Sequence, residues 1–262
     1  TPSARRRISA GRCATRRGGC IHGTRPESTP TGARMPLTAD VAISSWLSRN
    51  TGRPFAATSA AEVTGGSIHR CTRWHGAGGD AFVKLAAADR LTAFEAEAAG
   101  LQALAEAGAL RVPAVLAVGE AGGHALLALE WLHLEPAAAS DGTVQAQLGE
   151  RLAMQHRMTA PRCGWHRDNT IGATPQLNEW DDDWVRFFRK RRLGFQLDLA
   201  AANGLDSRAV ERGLDLGERC GAFFSSYRPV PSLLHGDLWG GNVIRDERGE
   251  PGPPPVGAVG AA

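Results

Sequence analysis

The first half of the chain alternates short apolar runs with glycine-rich turns. Stretches that combine such strand-length runs with their turns lie at 60–74, 76–86 and 112–132. A short helical pattern precedes them at 39–52. A longer one interrupts them at 89–110, where we expect Asp89 to be the N-cap. This half therefore predicts a β-sheet with one principal helix.

From Val144 onward, apolar residues recur every three to four positions, as is typical of amphipathic helices. The helical stretches lie at 144–159, 178–202 and 207–227. Strands followed by helices is the order of an α+β fold. We predict two lobes, the first rich in strands and the second helical.

A lysine in an apolar strand and a glutamate on the next helix form a candidate pair. Lys84 lies in the run AFVKLA, where a buried ammonium group needs a negative partner. The apolar stripe of the following helix consists of Phe94, Leu101 and Leu104. Glu97 lies on that stripe, whereas Glu95 points nearly the opposite way. We predict that Lys84 and Glu97 pair; two solvated charges are the alternative.

The stretch LLHGDLWGGN at 233–242 is typical of a phosphoryl-transfer site. Asp237 follows an apolar run and precedes Asn242 by five residues. This spacing suits an aspartate that accepts the proton of an attacking hydroxyl and an asparagine that binds Mg²⁺. Such a site also needs a lysine, a lid over the phosphates and a second acidic metal ligand.

Two further stretches could contact a nucleotide. The turn TGGSIH places Gly65, Gly66 and Ser67 between predicted strands, where backbone amides can surround phosphates. An ordinary hairpin turn is the alternative. The run LALEWL ends the strand-rich half, and the backbone at Glu130 and Leu132 could contact an adenine edge. An ordinary strand end fits that run equally well.

These pieces together resemble the fructosamine kinase (ketosamine-3-kinase) family, a branch of the aminoglycoside phosphotransferase-like kinases. The resemblance is carried by FVKL, FEAEAAGL, RVPAVLAVG, HGDLWGGNV and the run from Gly164 to Ala200. It extends over residues 36–250. The long run is highly specific to the family, whereas the HGD motif is shared with many small-molecule kinases.

The resemblance implies a two-lobed protein-kinase-like fold with ATP and Mg²⁺ between the lobes. It also implies transfer of the γ-phosphate to a sugar hydroxyl of a glycated amine, a ketoamine that is free or attached to protein. By position, Asp237 resembles the catalytic base and Asn242 a magnesium ligand. Lys84 and Glu97 resemble the pair that orients the phosphates.

Three other residues each have two interpretations. Trp239, inside the HGD motif, is placed to stack on the sugar, or it packs in the core. Asp168 and Asn169 in HRDNTIG either line the acceptor pocket or have a structural role.

The resemblance ends beyond Asn242, where the family has a strand with a second magnesium-binding aspartate. Asp246 is the only aspartate after Asn242, and we expect it in a polar turn. Prolines at 253–255 disfavour a following strand. We therefore expect an incomplete C-lobe, from truncation or a shifted reading frame. The alternative function is an impaired remnant that at most binds nucleotide.

Four regions follow from these patterns. They are a disordered arginine-rich extension at 1–34, a nucleotide-binding N-lobe at 35–132, a helical catalytic C-lobe at 133–250 and an aberrant Pro/Gly/Ala tail at 251–262.

Charge and cysteine content narrow the function further. Residues 1–34 contain eight arginines and one acid, an excess of +7, which leaves −4 for the remaining 228 residues. An acidic body argues against nucleic-acid binding, and no apolar run is long enough to span a membrane. Five cysteines without a C-x-x-C motif favour a reducing compartment, so we expect a cytoplasmic protein. The oligomeric state stays open.

We predict that a chain beginning at Met35 folds as stably as the full chain. Residues 1–34 hold only two aliphatic side chains larger than alanine, Ile8 and Ile21, which is too few to build a core. Thermal unfolding of both chains measures this. A lower midpoint for the shorter chain would contradict the prediction.

Overall fold

The computed structural model describes residues 37–63, 69–136, 142–172, 174–236, 238, 244–246 and 251–252. All of them belong to one unit, Pro36–Ala262. The strand-rich half contains α1 (Leu37–Thr51), β1 (Phe55–Glu62), β2 (Arg70–Gly76), β3 (Ala81–Ala87), α2 (Leu91–Ala107), β4 (Val115–Ala121) and β5 (His124–Glu130). The predicted order of strands and helices in this half is confirmed.

The five strands form one antiparallel sheet in the order β1-β2-β3-β5-β4. β3 is central, and residues 81–85 are all buried. Because successive side chains point to opposite faces, this continuous burial requires cover on both faces of the sheet. α2 packs against β4 and β5, and α1 packs against β1 and β4.

The main apolar core contains residues of the sheet and of α2. Its buried members are Cys71, Phe82, Phe94, Ala98, Leu101, Leu104, Val112, Ala125, Leu127 and Leu129. The predicted stripe of α2 is thereby confirmed. The helix ends at Gly108, whose φ of 63° lies in the left-handed region that glycine tolerates.

The second half is mainly helical. It contains β6 (Leu134–Pro136), α3 (Gly142–Gln155), β7 (Asn169–Ile171), β8 (Thr174–Gln176), α4 (Trp184–Phe187), α5 (Phe195–Ala202), α6 (Ser207–Arg219), β9 (Ile244–Asp246) and β10 (Pro251–Gly252). Among the described residues, no helix is long and apolar enough to cross a membrane.

The helical stretch expected at 178–202 begins later and is not uniform. It starts at Trp184, because the Asp183 carboxylate accepts a hydrogen bond from the Arg186 amide at 2.8 Å and caps α4. A π-helix, Phe188–Gly194, joins α4 to α5. A Cβ at Gly194 would lie 2.6 Å from the Arg189 carbonyl oxygen, so this junction requires glycine.

The expectation that Asp89 caps α2 is wrong. Asp89 lies in a 3₁₀ turn, Ala88–Arg90, and α2 begins after Arg90 without a side-chain cap. The hairpin of β7 and β8 inside the helical half was also not predicted. Its strands have only three residues each, too short for a periodic pattern to reveal.

The expectation that Asp246 lies in a polar turn is wrong as well. Asp246 is the last residue of β9, which pairs antiparallel with both β6 and β10. The pairing partner in β6 lies more than a hundred positions away, so the local sequence VIRDERGEP does not reveal the strand. Pro251 is in β10 at the edge of this sheet, a position that proline tolerates.

We predict that Ile43→Ala lowers the free energy of unfolding by about 2–5 kcal/mol, because it leaves a cavity beneath α1. Ile43 is fully buried, whereas Val41 on the same helix is 53% exposed. Val41→Ala is therefore the matched control, with a change within about 0.5 kcal/mol. Urea denaturation measures both, and equal effects would show that α1 is not packed as described.

Candidate active site

A buried ion pair is the centre of the candidate site. Lys84 on β3 and Glu97 on α2 are 2.5 Å apart, measured between Nζ and Oε1, and their side chains are 6% and 13% exposed. The predicted pairing of these two residues is confirmed. An ammonium group has three donor hydrogens, so this bond to Glu97 leaves Lys84 the capacity to bind an anionic ligand.

Burial and charge act in opposite directions on Glu97. Burial raises the pKa of its carboxyl above the usual range, and the Lys84 ammonium opposes that rise. Phe94 and Leu101 flank Glu97 along α2 and are both buried. Neither member of the pair can therefore lose its partner without leaving a charge in an apolar setting.

Two side chains at the start of β2 border the pair and are neutral at pH 7. His69 contacts Phe94 edge to face, with ring centroids 5.0 Å apart. Burial, followed by the charge of Lys84, lowers the pKa of His69. Cys71 is the cross-strand partner of Lys84, and burial raises the pKa of its thiol. Neither of these two side chains is therefore an anion that competes for Lys84.

The carboxylate of Glu130 faces away from this pair. It accepts hydrogen bonds from Arg111 Nη2 at 2.6 Å and from the Ala114 amide at 3.1 Å, and so ties the end of β5 to the segment before β4. A cleft of about 850 Å³ lies there, and its lining includes Glu130 and Trp131 but neither Lys84 nor Glu97. Leu132 is 9% exposed. We predicted that backbone groups of Glu130 and Leu132 contact an adenine, and this stays a prediction.

The segment that leads to the HGD motif is anchored to α3. Gln155 is fully buried and donates from Nε2 to the Leu233 carbonyl oxygen at 3.0 Å. The Leu233 amide donates to the Met158 carbonyl oxygen at 2.9 Å. His235 follows and is 4% exposed. The backbone just ahead of residue 237 thus has a defined position in the helical half.

Several predicted site residues lie outside the described part of the chain. They are Gly65, Gly66, Ser67, Asp237, Trp239 and Asn242. Their assignments as phosphate lid, catalytic base, sugar platform and magnesium ligand stay predictions.

Asp168 and Asn169 have a structural role. Asp168 Oδ1 accepts a hydrogen bond from the Asn178 amide at 2.7 Å. Asn169 Oδ1 accepts from Gln176 Nε2 at 3.0 Å and from Asn178 Nδ2 at 2.9 Å. These bonds hold the β7–β8 hairpin to the chain that follows it, and a further role of either residue in the acceptor pocket stays a prediction.

Asn178 is the centre of this network and was not identified from the sequence. It is fully buried, and its Oδ1 accepts a hydrogen bond from Arg192 Nη2 at 2.7 Å. Arg192 also lies over the Phe187 ring, and burial lowers its pKa to about 10. The run from Gly164 to Ala200 contains all these residues, and they form a polar network around the buried Asn178.

We predict that Glu97→Gln lowers the free energy of unfolding by about 3–5 kcal/mol, because it leaves the buried Lys84 without its counter-charge. The double variant Lys84→Met, Glu97→Gln is expected to be more stable than Glu97→Gln, since both charges are then removed. Urea denaturation measures each variant. Glu106→Gln is the control, an exposed acid on the same helix.

If Glu97→Gln and Glu106→Gln changed stability equally, the pair would not be buried in solution.

Comparison with known proteins agrees with this geometry. The model of the fructosamine kinase family matches residues 39–253. A probable ketoamine kinase of Synechocystis is 38% identical over 215 residues, which are 80% of this chain and 69% of that protein. In eight curated relatives that it matches, the chain spans 58% to 69% of their lengths.

Solved structures show the same fold. One from Haemophilus somnus that carries the fructosamine-3-kinase name has a TM-score of 0.72 at 24% identity, and the match covers 85% of this chain and 72% of that one. An aminoglycoside phosphotransferase, APH(4)-Ia, solved with ADP and hygromycin B, has a TM-score of 0.52 at 13% identity and coverages of 83% and 70%. The fold is thus that of the kinase-like phosphotransferases, and by its matching sequence the chain belongs to the fructosamine kinase family.

Proposed function

We propose that this chain is an ATP-dependent kinase that phosphorylates a sugar hydroxyl of a ketoamine. The buried pair of Lys84 and Glu97 carries the proposal. The Lys84 ammonium group is a positive charge held in place on β3, and the chain belongs to this kinase family. The Synechocystis relative is named as a ketoamine kinase, which supports the acceptor class. The APH(4)-Ia complex with ADP supports a nucleotide as the phosphate donor.

In the proposed reaction, the acceptor hydroxyl oxygen attacks the γ-phosphorus of ATP. A new O–P bond forms, the bond between the γ-phosphorus and the β–γ bridging oxygen breaks, and ADP leaves. Asp237 accepts the hydroxyl proton, as an aspartate at this position of the motif does in related sites. Trp239 is the proposed platform for the sugar ring.

Lys84 has the role of placing the phosphates. Its ammonium group is held by Glu97 and oriented by β3, so little conformational freedom is lost when an anion binds. Gly65, Gly66 and Ser67 would cover the phosphates from the adjacent turn. The Glu130 carbonyl group and the Leu132 backbone would contact the adenine, whereas the Glu130 amide donates to the Ala114 carbonyl oxygen at 2.8 Å.

Kinase chemistry implies Mg²⁺, which neutralises charge on the phosphates when bound. Asn242 is the proposed ligand, and it lies outside the described residues. Within the described ranges, no three His, Cys, Asp or Glu side chains group together to hold a metal. The described residues therefore assign no ligand to the ion, and Asp246 at the end of β9 is a candidate only by its order in the chain.

The second candidate function is nucleotide binding without efficient transfer. It is the alternative that the sequence leaves open, because no ligand for Mg²⁺ is assigned among the described residues. For either function we propose the cytoplasm, since Cys71, Cys163 and Cys220 are free thiols buried in the fold.

We predict that this chain binds Mg·ATP and that Lys84→Met weakens binding at least about tenfold, because a buried contact to a charged phosphate is lost. Lys190→Met is the matched control, because Lys190 is the only other lysine and is exposed. Titration of a fluorescent ATP analogue measures binding. Phosphorylation of fructoselysine, followed by ³¹P NMR, measures transfer.

Transfer that Asp237→Asn abolishes would support the kinase. Binding that depends on Lys84, without transfer, would support the second function. Absence of binding, or equal effects of the two lysine variants, would overturn both.

A further inference from the structure

The helical half contacts α2 at two separated points. Arg167 Nη2 donates to Glu95 Oε2 at 3.2 Å, near the start of α2. Arg151 on α3 donates from Nη1 to the Ala109 carbonyl oxygen at 3.2 Å, just beyond the end of α2. Glu95 and the last residue of α2, Ala107, are about 18 Å apart along the helix axis, and Glu97 lies between them. α2 is therefore attached to the helical half on both sides of the residue that holds Lys84.

Glu95 and Glu97 point in nearly opposite directions from one helix. Two positions correspond to about 200° around an α-helix. Glu97 points to Lys84 in the core, and Glu95 points outward to Arg167. One rotational setting of α2 satisfies both ion pairs, and a rotation that breaks one also moves the other. A change in the rotation of α2 would therefore act on both ion pairs.

Arg167 is itself held in place by the buried polar network. Its carbonyl oxygen accepts a hydrogen bond from Asn178 Nδ2 at 3.1 Å, and the Asn178 amide donates to the adjacent Asp168. The following strand β7 packs against α2. The Arg167 backbone is therefore a fixed point from which its guanidinium reaches α2, and Asn178 and its partners have a role beyond the stability of the hairpin.

We propose that Arg167 is a positioning residue, whose ion pair with Glu95 reinforces the rotation that the buried apolar stripe of α2 sets and so helps to keep Glu97 on Lys84. The consequence for nucleotide affinity rests on the proposed function; the coupling of the two ion pairs does not. The Arg167 and Glu95 side chains are 29% and 43% exposed, so the pair is partly screened by solvent and its effect is modest.

The coupling is tested on the full chain with ¹⁵N-labelled lysine. The chain has only two lysines, so its two side-chain ammonium signals are assigned by Lys190→Arg. Arg167→Gln and Glu95→Gln are each expected to shift or broaden the Lys84 signal, and Arg167→Lys to restore it in part. Arg162→Gln is the matched control, because Arg162 pairs with Asp182 within the helical half and leaves α2 untouched.

Nucleotide affinity provides the second readout, with a fluorescent ATP analogue and Mg²⁺. Arg167→Gln and Glu95→Gln are each expected to weaken binding about two- to fivefold. The double variant should be no weaker than either single variant, since one interaction is lost in all three. Arg162→Gln should bind as the unaltered chain does.

An unchanged Lys84 signal in both single variants would overturn the proposal, whatever their thermal stability. A fall in melting temperature with an unchanged signal would show that Arg167 has only a structural role. If the unaltered chain binds no nucleotide, the proposed function fails, while the Lys84 signal still decides whether the two ion pairs are coupled.

Discussion

The need to neutralise one buried ammonium group explains much of the strand-rich half. Lys84 lies at the centre of a sheet that is covered on both faces, where an unpaired charge would be very costly. Its two direct cross-strand neighbours, Cys71 and Leu127, are not acids and cannot neutralise it. Its partner comes from α2, so the helix must lie where Glu97 reaches β3 while Phe94 and Leu101 fill the core. The ion pair with Lys84 and the apolar packing of the core therefore require the same position of α2.

The helical half contacts α2 and the residue after it through polar side chains. Arg167 and Arg151 reach α2 from two different segments, and the buried Asn178 network holds the first of them in place. A second anchor, from Gln155 to Leu233, positions the chain ahead of the HGD motif. Asn178 is buried and has several partners, so it holds its segment in one arrangement, because any other leaves its donors or acceptors unpaired. The two halves are thereby joined by directional bonds.

Local patterns in the sequence were sufficient for the parts of the structure that depend on nearby residues. The stripe of α2, the strands around Lys84 and the pairing of Lys84 with Glu97 were all predicted, because burial imposes a regular period on each element. The resemblance in HGDLWGGNV and in the run from Gly164 to Ala200 led to the family. The N-cap prediction for Asp89 is wrong because Asp89 lies inside a 3₁₀ turn, and α2 begins only after that turn, at Leu91.

Only the tertiary structure decided the features that join distant parts of the chain. The sequence left Asp168 and Asn169 with two roles, and their bonds to Asn178 and Gln176 show the structural one. Asp246 belongs to a strand because β6, far earlier in the chain, pairs with it. The contact of Arg167 with Glu95 spans 72 positions. Such contacts leave no periodic pattern in the sequence. One long-range hydrogen bond constrains only two residues, and their neighbours in sequence are free to vary.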